Sequence, residues 1–178
     1  MSTHIALMRG INVGGRNRLP MSDLTAVFIE AGCTDVRTYI QSGNVIFQAT
    51  DQIAAVIPTL IPEAIFNRSG FRPPTVTRSV EEFRLIPGAN PFLHEGSDPK
   101  MLHVVFLDQE PTESQLAALD PELSPPDEIS VSGREIFLHC PKGIARTKFT
   151  NAYFDRKLDT TSTIRNWNTV QRLLGLID

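Results

Sequence analysis

The chain has 178 residues, 41% of them hydrophobic, and carries 17 Lys and Arg against 20 Asp and Glu for a net charge of −3. That composition fills one large core or two small ones and excludes a disordered or fibrous chain. No apolar run approaches the roughly 18 residues of a membrane span, and MSTHIALMRG lacks the pattern of a secretory leader, so the expectation is a cytoplasmic protein with no membrane partner.

The charge is unevenly spread: residues 1–80 carry +2 (7 basic, 5 acidic), 81–135 carry −9 (3 and 12) and 136–178 carry +4 (7 and 3). Such blocks serve either as solvated faces or as a means of steering an anion toward the basic end. Cys33 and Cys140 lie far apart and outside any Cys/His cluster, so two buried, reduced thiols are expected, with neither a disulfide framework nor a metal site.

In chain order, residues 5–11 form an apolar run broken only at Arg9, the pattern of a buried strand. The loop NVGGRNRLP follows. Leu24, Val27, Phe28 and Ala31 then fall at helical spacing from Met21, with Gly32 as a stop. In VRTYIQSGNVIFQAT, Val36, Thr38 and Ile40 alternate with polar neighbours before a turn at Ser42-Gly43-Asn44, which predicts a β-hairpin. Asp51 is placed to cap a second helix through Ile53, Ile57, Leu60 and Ala64, which Pro58 and Pro62 are expected to kink or divide in two.

PPTVTRS reads as a strand, and Ser79 with Glu82 makes a capping box for a short helix ending near Pro87-Gly88. Residues 101–107 form a second apolar strand, Thr112 with Gln115 opens another helix, and EISVSGREIFLH is a second hairpin about Ser132-Gly133. Beyond Lys142 the pattern is helical, with one segment at 147–157 and another from Ser162 carrying Ile164, Trp167, Val170 and Leu174.

SGNVIF (42–47) and SGREIF (132–137) share four of six residues, and both are preceded by strand, helix, strand. The expected fold is therefore α+β: a tandem duplication of two ferredoxin-like βαββαβ subdomains with mostly antiparallel sheets, at residues 1–90 and 91–178. The second unit is expected to be incomplete, its final strand replaced by C-terminal helices.

From Gly10 to Asn17 the chain reads G-x-x-x-x-G-R-N, close to the phosphate-loop pattern G-x-x-x-x-G-K-[ST]. In that motif the helix starts at the Lys-[ST] pair; here Arg18-Leu19-Pro20 intervene, Asn17 replaces the magnesium-binding hydroxyl, and the next strand turns back in a hairpin. The phosphate-loop reading is rejected. Two readings of the glycines remain open: a nest of backbone amides for an anion, aided by Arg9, Arg16 and Arg18, or residues that permit positive φ in a long connection.

LMRGINVGG, TYIQSGNVIF, NPF, LHVVFL and TIRNWNTVQRLL together resemble the bacterial domain-of-unknown-function family numbered 1697, collinearly over almost the whole chain. The resemblance implies two ferredoxin-like subdomains and no assigned activity or catalytic residue. Its polar, glycine and aromatic positions supply the ligand set expected here: Arg9, Gly10, Asn12, Gly14, Gly15, Gln41, Ser42, Asn44, Arg165 and Asn166. In that expectation Arg9 and Arg165 pair with a small phosphate- or carboxylate-bearing ligand, between the RGINVGG loop, the Gln41–Asn44 turn and basic C-terminal helices.

Other chemistry has less support. His4, His94, His103 and His139 have no metal-ligand spacing, Ser42 lacks a nucleophile elbow, and no carboxylate pair marks general acid-base work. A nucleic-acid module is the first alternative, though the aromatic strand motif of RNA-binding ferredoxin-like domains is missing. A scaffold without catalytic activity is the second. The sequence points to no cofactor and names no reaction.

Overall fold

The computed structural model describes all 178 residues. It divides into two compact units, Met1–Phe83 and Arg84–Leu176, each built on one four-stranded antiparallel sheet.

The first unit runs β1 (Ser2–Met8), α1 (Met21–Glu30), β2 (Thr34–Tyr39), β3 (Asn44–Ala49), α2 (Asp51–Ser69) and β4 (Thr75–Ser79), with strand order β2-β3-β1-β4. This is the ferredoxin-like arrangement. Central β1 pairs with β3 from Ser2↔Ala49 to Leu7↔Asn44 and with β4 from His4↔Ser79 to Met8↔Thr75. One face of the sheet (Ala6, Met8, Val45, Phe47) packs against Leu24, Val27 and Phe28 of α1 and Ile57, Ile61 and Ile65 of α2. Ile5, Leu7 and Ile46 point the other way by strand alternation and are also buried.

Two local expectations are corrected here. Helix α2 is continuous through Pro58 and Pro62, not divided at them. The prolines are four residues apart, so the missing amides share one side of the helix, and the burial of Ile57, Ile61 and Pro62 fixes that side in place. Its N-cap is Thr50, whose hydroxyl accepts from the Ile53 amide, and not Asp51, which is the first helical residue.

α3 (Val80–Ala89) spans the divide, opened by the expected capping box: the Ser79 amide donates to Glu82 Oε2 and the Glu82 amide to Ser79 Oγ. The second unit continues with β5 (Leu102–Leu107), α4 (Glu113–Ala117), β6 (Glu128–Ser132), β7 (Glu135–His139), α5 (Asn151–Leu158), β8 (Ser162–Asn166) and α6 (Trp167–Ile177), in the order β6-β7-β5-β8. This unit is complete where an incomplete one was expected. Residues 162–166, assigned to a helix, form the fourth strand, paired with β5 from His103↔Asn166 to Leu107↔Ser162. The helical spacing of Ile164, Trp167 and Val170 conceals a boundary at Asn166, whose Oδ1 accepts from the Asn168 amide and so caps α6.

The duplication is real in architecture, but the shared hexapeptide is one residue out of structural register. His4↔Phe47 and His4↔Ser79 correspond to His103↔Leu138 and His103↔Asn166, so Phe47 is equivalent to Leu138 and not to Phe137. Phe47 and Leu138 belong to the helix-side cores, while Phe137 lies on the opposite face. The hairpin loops account for the slip. Four residues, 40–43, separate Tyr39 from its partner Asn44, whereas two, 133–134, separate Ser132 from Glu135.

The longer turn is locked to β1. Gly43 holds φ +82°, its carbonyl accepts from the Met8 amide, and an added Cβ would stand 2.7 Å from Met8 Cβ. Gly43→Ala is therefore expected to cost about 2–4 kcal/mol, from left-handed backbone strain plus overpacking. Gly133→Ala has the same backbone penalty but open space around its Cβ, and should cost only about 1–2 kcal/mol. Equal losses for the two variants in denaturant unfolding would contradict the close approach to Met8.

Candidate functional site

Residues 9–20 connect β1 to α1 and are organised by two asparagines. Asn12, at φ +54°, donates from Nδ2 to the carbonyls of Leu19 (3.0 Å) and Gln41 (2.9 Å), and its Oδ1 accepts from the Leu19 amide (2.8 Å). One side chain thus holds both ends of the loop and fastens it to the β2–β3 turn. Asn17, at φ +50°, donates from Nδ2 to the Gly10 carbonyl, and its own carbonyl accepts from the Asn12 amide. Both asparagines use the tolerance of short amide side chains for left-handed backbone.

The tip is a miniature hairpin. Val13 bridges Arg16 across Gly14 and Gly15, whose φ values of +57° and +74° fit a two-residue type I′ turn. The alternating right- and left-handed backbone of an anion nest is not what these two glycines adopt. Their conformation is explained by the turn.

A cavity of about 340 Å³ lies at the base of the loop, lined by Asn12, Gly15, Arg18, Pro20, Met21 and Gln41 together with Leu19. Pro20 is the N-cap of α1 and offers no side-chain bond; its carbonyl takes the amides of Asp23 and Leu24. The amides of Met21 and Ser22 precede those bonds, so α1 begins at the cavity without a side-chain cap. Arg18 is exposed there, and Asp23 in the first turn is the acidic residue nearest to the helix start in sequence.

Of the residues singled out in the sequence, Asn12, Gly15 and Gln41 are brought together at this cavity. Gly10 and Gly14 shape the loop without lining it, and the half-buried Arg9 donates its amide to the Pro74 carbonyl. Asn44 is buried at the start of β3, where its Nδ2 donates to the Tyr39 carbonyl and Ser42 Oγ, so Ser42 and Asn44 tie the turn together. Arg18, Pro20 and Met21 were outside the expected ligand set. Arg18 was noted only as a loop charge, and the significance of Pro20 depends on where the helix starts.

Arg165 and Asn166 belong to the second unit and are engaged within it. Asn166 caps α6. Arg165 lies in β8, only 9% exposed, and donates from Nη1 to Thr163 Oγ1 (2.8 Å) and the Ile164 carbonyl (3.1 Å). Burial pulls its pKa down to about 10, so it remains cationic at neutral pH. Arg78 holds the equivalent place in β4: Ile5↔Arg78 and Val104↔Arg165 are matching pairs, and Arg78 is 1% exposed with Nη1 donating to the Thr77 carbonyl. A buried arginine in the last strand is thus a repeated element of the fold.

Burial also pushes the thiols of Cys33 and Cys140 up to about 11, which removes both as nucleophiles near neutral pH. No three of the His, Cys, Asp and Glu side chains are grouped to hold a metal ion, and no helix is long and apolar enough to cross a membrane. Arg165→Ala leaves a cavity and unpaired acceptors, and a loss of about 2–4 kcal/mol is expected in chemical denaturation. Arg18→Ala, at an exposed site, should stay within about 0.5 kcal/mol of the parent. A fully stable Arg165→Ala protein would contradict the structural assignment.

Comparison with known proteins agrees with this architecture. A family model described as a protein of unknown function, DUF1697, matches residues 1–137. The solved structure of the conserved bacterial protein SP0830 from Streptococcus pneumoniae is similar over 99% of both chains, with a TM-score of 0.74 at 23% identity, a likeness of fold alone. No curated protein matches. With residues 1–137 of its 178 matched, the chain belongs to the DUF1697 family of proteins of unknown function.

Proposed function

We propose that this protein binds a small anionic ligand, bearing a phosphate or a carboxylate, in the cavity between the RGINVGG loop and the start of α1. The observation that carries the reading is that start: a ten-residue helix with no side-chain cap, opening on a cavity that also holds Arg18. Free amides and the positive end of the helix dipole favour an anion by about 0.3–1 kcal/mol at an exposed site, and up to about 2 when partly buried. Arg18 adds a planar, charge-assisted donor, and Asn12 keeps the loop in shape.

Comparison of the two units adds support. The first needs twelve residues, 9–20, to pass from β1 to α1, while the second makes the same step from β5 to α4 in five, 108–112. The fold does not require the longer path. In this reading its extra length serves to bring Arg18 and the asparagine clamp to the helix start. Arg18 takes the anion-pairing role first expected of Arg9 and Arg165.

A nucleic-acid role through the sheet has less to rest on, since β1 and β3 are buried on both faces and offer bases no open stacking platform. The test is a thermal-shift titration of the whole protein at low salt with inorganic phosphate, small carboxylates and sugar phosphates. A ligand at one hundred times its dissociation constant stabilises the fold by about 2.7 kcal/mol. The expected result is a concentration-dependent rise in Tm that Arg18→Ala abolishes without lowering the unliganded Tm. A rise that survives in Arg18→Ala, or no rise with any of these anions, would overturn the proposal.

A further inference from the structure

The two units treat one buried histidine differently. His4 of β1 and His103 of β5 occupy the same register position, facing Ser79 and Asn166 respectively, and the helix after each hairpin starts from a threonine cap, Thr50 or Thr150. In the first unit the His4 ring stacks on Phe47 with centroids 5.6 Å apart, and Ser2 Oγ lies 2.9 Å from Nε2. In the second, Leu138 takes the place of Phe47. His103 is 4% exposed, and its Nδ1 is fully buried without a hydrogen-bond partner.

The other ring nitrogen is weakly held. Asn166 Nδ2 stands 3.5 Å from His103 Nε2, at the limit of a hydrogen bond. The Asn166 amide is oriented by its cap to α6, because Oδ1 accepts from the Asn168 amide, so its NH₂ group is the one that faces the ring. Nε2 therefore accepts and Nδ1 carries the ring proton, with the Met101 backbone beside the ring. Burial lowers the pKa of the imidazole and so favours its neutral form.

A cavity of about 420 Å³ adjoins this ring, between β5, β8 and the segment that leads into α5. Its wall is mainly apolar, from Ile144, Phe149 and Ile164, and no Lys, Arg, Asp or Glu lines it. Its polar lining includes one free hydroxyl donor. Thr150 Oγ1 already accepts from the Tyr153 amide, which leaves its O–H group to donate, whereas the Thr147 hydroxyl is shared between the Phe149 amide and the Cys140 thiol. Ser162 Oγ donates its one hydrogen to Asp155 Oδ1 at 2.6 Å and lies 3.0 Å from the Asn151 side-chain amide.

We propose that this cavity is a second ligand site, for a small uncharged molecule with an apolar ring or chain and one hydrogen-bonding oxygen. Apolar walls with a few convergent polar groups are the usual make-up of a small-molecule pocket, and a volume of this order suits a compact ligand. A charged ligand would lose its hydration with no counter-charge in the lining. An oxygen-bearing one gives the Thr150 hydroxyl an acceptor, which an otherwise identical hydrocarbon does not. The site is independent of the anion cavity in the first unit and does not rest on it.

The experiment is a titration of the full-length protein with benzyl alcohol, ethylbenzene and benzoate, read by the ring-nitrogen NMR signals of its four histidines. Benzyl alcohol is expected to move the His103 signals while leaving those of His94 and His139 in place, with ethylbenzene and benzoate binding at least about tenfold more weakly, roughly 1.4 kcal/mol. Ile144→Trp, at a residue 36% exposed on the cavity wall, should block binding with the Tm unchanged; Arg18→Ala should leave binding intact. Thr150→Val, which removes the free hydroxyl of the lining, serves as a second variant and should equalise benzyl alcohol and ethylbenzene. The proposal fails if His103 does not respond, if the hydrocarbon binds as well as the alcohol, or if Ile144→Trp binds normally.

Discussion

Each unit is organised by one strand paired along both of its edges and buried on both of its faces. β1 in the first unit and β5 in the second have no edge to spare and almost no exposed side chain. Register on such a strand is fixed, since a slip of one residue would exchange its two buried faces. The connection that leaves such a strand is where exposed backbone and side chains first become available. At the end of β1 the chain emerges at Arg9 and needs a connection to α1; at the end of β5 it emerges at Asp108 and needs one to α4. The two connections differ, and the candidate site lies in the longer one.

What the longer connection has in place of a packed core is a small set of amide bonds. Asn12 joins Leu19 to Gln41, Asn17 closes the neck at Gly10, and the Gly14-Gly15 turn folds the tip back on itself. This is how an exposed loop keeps a shape: its backbone groups are paired locally, with short side chains standing in for a sheet. The arrangement leaves the first amides of α1 and the side chain of Arg18 beside one cavity. The anion binding proposed there would rest on elementary electrostatics and needs no catalytic machinery.

Much of this was legible in the residues. Alternation and helical spacing gave the strands and helices of the first unit, and the capping boxes at Ser79 and Thr112 marked helix starts that the structure contains. The rest was hidden for identifiable reasons. β8 shares Ile164 with a helical pattern that runs through Trp167 and Val170, and only the cap at Asn166 separates strand from helix. The repeated S-G-x-x-I-F hexapeptides pointed to the correct architecture through an alignment one residue out of register, because the two hairpin loops differ in length. Arg165 read as an anion-pairing residue of the basic C-terminal helices, since neither charge nor spacing reveals that it lies in a buried strand. Asn12 was singled out as a ligand position, whereas its bond to Gln41 spans 29 positions and comes only from the tertiary fold.

The central claim is that the loop, its asparagine clamp and the uncapped start of α1 form one anion site. The most direct measurement is the backbone amide spectrum of the protein at low salt, followed residue by residue as inorganic phosphate is added. The account predicts that the largest saturable shifts fall on the amides of Met21 and Ser22, with Gly15 and Arg18 next, and that the strands of the second unit stay still. Saturable shifts centred elsewhere, or a loop and helix start that do not respond, would contradict it.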